Sequence, residues 1–277
     1  MDILKKLTEE FPSIRQDKAQ NIINLIDEGN TIPFIARYRK EMTGSCDDQV
    51  LREFNDRLIY LRNLEKRKEE VVKSITEQGK MTDEIAKALD AALTLTEVED
   101  IYRPYKQKKK TRASVAIERG LQPLADFILA QDKNADVMAE AQKYIDEEKG
   151  VATAEDAIAG AKDIIAEIVS DDANVRKKLR NLFMKNGEIE TRLVNADKDE
   201  AKVYEMYADY SENIAEIKSH RVLAVNRGEK EGFLKVKICF NDEIAKRIAG
   251  AGYLKDGGYS TQLVKEAVED SYDRLIF

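Results

Sequence analysis

The residues that could do chemistry in this chain are cations set beside aromatics. The chemistry open to them is pairing with phosphate and stacking on bases. One string, Thr31-Ile-Pro-Phe-Ile-Ala-Arg-Tyr-Arg-Lys-Glu-Met-Thr-Gly44, puts Arg37, Arg39 and Lys40 close to Phe34 and Tyr38. Arg and Lys pair with phosphate oxygens, and an exposed tyrosine stacks on an unpaired base. The same residues have a structural reading, in which Arg37 or Arg39 is buried and bridges Glu53 or Asp56. Pro33 and Phe34 read as architectural, shaping a compact junction between two helices.

A second string holds Arg103, Lys106, Lys108, Lys109, Lys110 and Arg112, with Tyr102 and Tyr105 interleaved. It is the most basic window in the chain, and it reads either as a phosphate contact or as a solvated loop with Tyr102 and Pro104 turned inward. Arg112 and Arg119 could instead join the next helix and pair with Glu118. In a third string, Ser219–Gly232, the residues Arg221, Arg227 and Lys230 suit an anion, and equally suit salt bridges to Glu229 or Glu231. His220 is the one histidine and reads as a capping or packing residue, since no nucleophile or ligand set accompanies it.

No catalytic residue, metal site or cofactor motif follows from the spacing. Gly250, Gly252, Gly257 and Gly258 do not make a dinucleotide fingerprint, and read as a flexible connection. Arg57, Arg62, Lys66, Arg67 and Lys68 alternate with Glu65, Glu69 and Glu70, as on a salt-bridged helix face. Arg176, Lys177, Lys178 and Arg180 form a run that no acid interrupts, and could touch a partner.

These residues sit on a chain of 277 residues with 36% charged side chains and a net charge of −7. An acidic total repels phosphate at long range, so nucleic-acid contact would have to be local. With 13 Gly and 4 Pro, the composition excludes a β-rich or disordered chain and favours helices with long solvated faces. Cys46 and Cys239 are far apart and lack zinc spacing, which suits a reducing cytoplasm. Met1-Asp2-Ile3-Leu4-Lys5-Lys6 reads into an amphipathic helix and lacks an apolar core like that of a signal peptide, and no stretch approaches a membrane-spanning length of apolar residues.

The elements that must position the strings are mostly helical. Ser13 with Gln16 reads as a capping box for a helix ended by Gly29. A long helix is expected from about Asp47 to Gln78, with Leu51, Phe54, Leu58, Leu61, Val72 and Ile75 on one seam. Leu64 and Val71 flank that seam, and Glu65 and Lys68 interrupt it. Further helices fit Asp83–Ala92, Glu97–Ile101, Leu121–Ala130, Val137–Glu147, Ala154–Ser170, Asn174–Lys185 and Thr261–Ile276. Ala154, Ala157, Ala161 and Ala166 would allow close packing. Past Gly187 the pattern changes, with strands at Glu188–Val194 and Phe233–Phe240, a linker at Glu212–Ser219, and a helix capped by Ser219 and ended near Gly228. The expected fold is mainly α: a multi-helix bundle with a long spine helix and a small α+β portion near the C-terminus. Its expected division is a helical domain over 1–187 and a mixed portion over 188–277.

Taken in order, the three strings resemble the N-terminal region of the bacterial Tex proteins, the transcription accessory factors. The resemblance runs from about Lys5 to the last residue. It implies helix-turn-helix-like elements, a role in transcription, and sequence-independent binding of DNA or RNA by the whole protein. In that family an RNase H-like domain, helix-hairpin-helix elements and an OB-fold follow at this point. The chain therefore reads as an N-terminal fragment, and the OB-fold would carry most of the affinity. The function expected is a non-enzymatic helical scaffold, soluble and cytoplasmic. The alternative is a protein-interaction module that docks RNA polymerase or another transcription factor.

Overall fold

A computed structural model describes residues 2–106, 110–195, 197–255 and 258–276. The chain forms two compact units, Met1–Tyr105 and Lys106–Phe277. The change of character at Gly187 falls inside the second unit.

The first unit is wholly helical among the described residues: α1 (Ile3–Glu10), α2 (Gln16–Asp27), α3 (Ile32–Tyr38), α4 (Lys40–Thr43), α5 (Asp48–Glu77), α6 (Asp83–Ala91) and α7 (Leu95–Tyr102). The string expected as a junction is thus two short helices. Pro33 lies in the first turn of α3, where its missing N–H costs nothing. The 30-residue spine α5 starts where Asp47 accepts a hydrogen bond from the Val50 N–H. The capping box expected at Ser13 does not form. Ile14 turns inward to 2% exposure, so α2 begins after Arg15 and no side chain caps it.

α5 serves two cores. Leu51, Phe54, Leu58 and Leu61 pack with Leu7, Ile22 and Ile35. Leu64, Val71 and Ile75 pack with Leu89, Ala92 and Val98. Val72, expected on the seam, stands 38% exposed, while the expected flanking residues Leu64 and Val71 are buried. Lys68 interrupts the stripe as expected. Its ammonium donates to the Asp90 carbonyl at 3.0 Å and lies 3.1 Å from Glu65.

The second unit opens with α8 (Arg112–Glu118), α9 (Gln122–Ala130), α10 (Val137–Gln142), α11 (Ala154–Asp171) and α12 (Ala173–Asn186). α10 is shorter than expected because the chain leaves it for a bridge between Asp146 and Val151. Thr153 and Asp156 cap α11 reciprocally. Ala154, Ala157, Ala161 and Ala166 are all buried in its face.

Then come β1 (Glu188–Leu193), a 3-10 segment (Asp199–Tyr207), β2 (Asp209–Asn213), α13 (Ser219–Lys230), β3 (Leu234–Cys239), α14 (Asp242–Gly250) and α15 (Gly258–Ser271). The strands form an antiparallel sheet in the order β2-β1-β3. β2 takes part of the expected linker. α14, with Asn241 as its cap and Ala245 and Ala249 buried, was not expected, and it ends at Gly250, where the glycine-rich connection was expected to begin. Lys218, not Ser219, precedes α13, and the helix runs through Gly228 to Lys230.

Candidate nucleic-acid interface

The first string is held from beneath and open above. Ile35 at 0% and Thr43 at 1% exposure anchor α3 and α4. Two side chains of α2 fasten the second turn: Lys18 donates to the Glu41 carbonyl at 2.7 Å, and Asn21 to the Met42 carbonyl at 3.2 Å. Gly44 closes α4 with φ of +72°, a conformation that favours glycine. The cations are left outside. Arg37, Tyr38, Arg39 and Lys40 are all exposed, Tyr38 at 64%. The burial considered for Arg37 and Arg39 does not occur, and Glu53 instead accepts from Gln49.

The exposed groups are partly ordered by one another. The rings of Phe34 and Tyr38 lie 5.2 Å apart, and the Arg39 guanidinium sits 5.1 Å above Phe34. Arg39 also donates to the Tyr38 carbonyl at 3.2 Å. The result is a cation–aromatic edge in which Tyr38 remains largely exposed. That arrangement can take a phosphate and stack a base.

The second string is divided between the units. Tyr102 and Tyr105 pack on the core around Leu64 and Val98. The Tyr102 hydroxyl shares a hydrogen bond with Ser74 at 3.0 Å, and the Tyr105 carbonyl accepts from Gln78 at 3.0 Å. Arg103, beside them in a 3-10 turn, is half-buried. Lys106 and Lys110 are exposed, and Lys110 lies 3.6 Å from Glu118, the acid first matched with Arg112 and Arg119. Arg112 opens α8, and its charge helps to hold the Asp270 carboxyl low, after the hydrogen bond from Arg274. Lys108 and Lys109 lie outside the described residues.

In the third string two of three cations are engaged. Arg221 lies 2.6 Å from Glu212, not from Glu229 or Glu231, and Tyr210 bonds to the same carboxylate. Arg227 donates to Glu231 at 2.8 Å, as the salt-bridge reading expected. The Tyr204 hydroxyl and Arg227 together hold the Glu231 carboxyl below its usual range. Lys230 is exposed, and His220 is exposed in the first turn of α13.

Comparison with known proteins bears directly on these strings. The Tex-like protein N-terminal domain matches residues 1–76, and the Tex central region-like family matches residues 132–270. The chain belongs to the Tex family. It is 46% identical over 276 residues to Uncharacterized protein YdcI of Bacillus subtilis (strain 168), covering 99% of this chain and 38% of that protein. It is 42% identical to Transcriptional accessory protein Tex of Neisseria gonorrhoeae, over 88% of this chain and 32% of the relative. With the human S1 RNA-binding domain-containing protein 1 it shares 32% identity, over 88% of this chain and 25% of that protein. The chain thus spans between a quarter and two fifths of the length of these relatives.

Among the described residues of this Tex chain, no three His, Cys, Asp or Glu side chains gather as metal ligands. Among the described residues, no helix is long and apolar enough to cross a membrane. Cys46 and Cys239 are free and half-buried, and burial pushes both thiols up. The fastening of α4 by Lys18 and Asn21 was not read from the sequence, because their partners are backbone carbonyls more than twenty residues away.

Proposed function

We propose that this Tex chain is a non-enzymatic helical scaffold of a transcription accessory protein. It contacts nucleic acid without sequence preference at Arg37, Tyr38, Arg39 and Lys40. The observation that carries this reading is the exposed cation–aromatic edge on α3 and α4, beside cations elsewhere that are spent on Glu212, Glu231 and Glu118. α2 and α3, joined by residues 28–31, are its helix-turn-helix-like element. The name of the human relative refers to an S1 RNA-binding domain, and the net charge of −7 here favours leaving most of the affinity to such a domain elsewhere in the whole protein. The free cysteines support a cytoplasmic location.

The test is fluorescence anisotropy of this chain with labelled single- and double-stranded DNA and RNA across a salt titration. The expected result is weak binding, with dissociation constants of roughly 1–100 μM at physiological salt, weakening steeply as salt rises. Arg37→Glu with Lys40→Glu should abolish it. Changing Lys108, Lys109 and Lys110 to Glu measures that basic run of the sequence separately. Nanomolar binding at physiological salt would refute the scaffold reading, and no binding at low salt would remove nucleic acid from this chain. Turnover of nuclease or phosphatase substrates by the purified chain would overturn its non-enzymatic character.

A second reading, docking of RNA polymerase, draws on Val203, Met206 and Leu223, which stand 74%, 85% and 69% exposed. Retention of purified RNA polymerase by the immobilised chain would support it.

A further inference from the structure

α4 is a single turn, Lys40–Thr43, and a helix that short does not hold itself. Closing a first turn fixes several residues for one hydrogen bond, so its order must come from outside. Its carbonyls show where from. The Lys40 carbonyl accepts from the N–H of Gly44 and, at 2.8 Å, from that of Ser45. The next three carbonyls have no further turn to bond to, and each takes a side chain. Lys18 of α2 donates to Glu41, Asn21 of α2 donates to Met42, and the Cys46 thiol donates to Thr43 at 3.1 Å.

Lys18 and Asn21 stand three residues apart on α2, so they leave one face of that helix together. They reach successive carbonyls of α4. The Lys18 stem also runs beside the residue that closes the turn: a Cβ on Gly44 would lie 3.5 Å from Lys18 Cγ. A charged donor makes the stronger hydrogen bond of the two. Lys18 is half-buried, whereas Lys40, on the turn it holds, is exposed.

By type, Lys18 would count with Arg37, Arg39 and Lys40 as one more cation for phosphate. Its ammonium is instead spent on a backbone carbonyl 2.7 Å away. Asn21 does the same work without a charge. We propose that Lys18 and Asn21 are positioning residues of the interface. They hold α4, and with it Lys40, in place behind α3, and they set nucleic-acid affinity without touching the ligand. The proposal rests on the reading of α3 and α4 as the point of contact.

The first measurement needs no ligand. Exchange of the Gly44 and Ser45 amides, followed by NMR, should speed up by about tenfold in Lys18→Met, with the amides inside α5 exchanging as in wild type. The second measurement is anisotropy of the full chain with labelled single-stranded DNA at low salt. Lys18→Met should weaken binding by about fivefold or more, and Asn21→Ala, which removes no charge, by about threefold or more. In a chain that already carries Lys40→Ala, Lys18→Met should cost little, because both changes act through the same turn.

A cation that paired with phosphate itself would behave differently. Asn21→Ala would then bind as wild type, and the losses from Lys18→Met and Lys40→Ala would add. Either result would overturn the proposal. So would unchanged exchange at Gly44 and Ser45, or exchange that is equally faster throughout α5. Binding abolished by Arg37→Glu with Lys40→Glu, yet untouched by Lys18→Met and Asn21→Ala, would sink the positioning role alone. Absence of binding by the wild-type chain would sink the contact reading and the positioning role with it, and is seen before any variant is made.

Discussion

Arg57 of α5 grips Glu10 at the end of α1 through two hydrogen bonds, Nε to Oε2 at 2.5 Å and Nη2 to Oε1 at 2.6 Å. The guanidinium also lies 4.8 Å from the Tyr60 ring centroid. Arg62 makes the same fork on Asp27 of α2, and Arg67 bonds to Glu99 of α7. The basic face of the spine helix is therefore a set of clamps on three other helices, and only partly the self-paired surface its interleaved acids suggested.

The hydrogen bond from Arg57 holds the Glu10 carboxyl below its ordinary value of 4.5. A carboxyl depressed in the folded state adds stability that is complete above its unfolded value and disappears as pH falls through the folded one. Glu10→Gln should therefore lower stability by about 0.5–1 kcal/mol at neutral pH, the scale of a half-exposed pair. The difference from wild type should shrink as pH falls below 4.5. Urea unfolding followed by circular dichroism across that range checks both statements, and a constant difference would rule the pair out as its source.

The register of the spine gives a second test. Periodicity holds through Leu51, Phe54, Leu58 and Leu61. The next buried step is then three residues, to Leu64, not four. A three-residue insertion in a heptad pattern shifts the stripe around the helix. Here the shift falls where α5 passes from the Leu7–Ile22 core to the Leu89–Val98 core, a change that only non-local packing reveals. Val71→Ala should cost about 2 kcal/mol and Val72→Ala less than about 0.5. Equal costs in denaturant titrations would contradict the register.

Long periodic helices were legible because burial repeats along them. β2 was not, because Asp209, Ser211 and Asn213 carry no strand pattern and owe their conformation to pairing with β1. The cap at Ser13 was misread because the buried Ile14, not a hydroxyl, decides where that helix starts, and Ser219 is the first residue of α13 and not the one before it.

The cationic strings were legible as composition, but their partners were not. Arg221 and Arg37 read alike in sequence, yet Arg221 is held by Glu212 while Arg37 is exposed on α3. Arg221→Ala should lower the melting temperature and leave nucleic-acid affinity as in wild type. Arg37→Ala should do the reverse. Thermal melts and anisotropy on both variants separate the two roles, and loss of affinity in Arg221→Ala would return the third string to the interface.

Gly228 sets two known effects against each other. Within a helix, Gly→Ala gains about 1 kcal/mol from propensity. At this position the added Cβ would lie 2.6 Å from Leu234 Cδ1 and 2.9 Å from Tyr204 Cδ1. Neither neighbour is free to move. Leu234 and Tyr204 are each 3% exposed, the Tyr204 hydroxyl is bonded to Glu231 at 2.6 Å, and its ring stacks on Phe233 at 5.9 Å. Overpacking of about 1–3 kcal/mol therefore wins, and Gly228→Ala should destabilise the chain. Shortening the neighbour relieves the clash, so adding Leu234→Val should cost less in the Gly228→Ala background than alone, by about 1 kcal/mol. A melting temperature raised by Gly228→Ala would mean that propensity outweighs packing and that α13 does not seat on the sheet through this glycine.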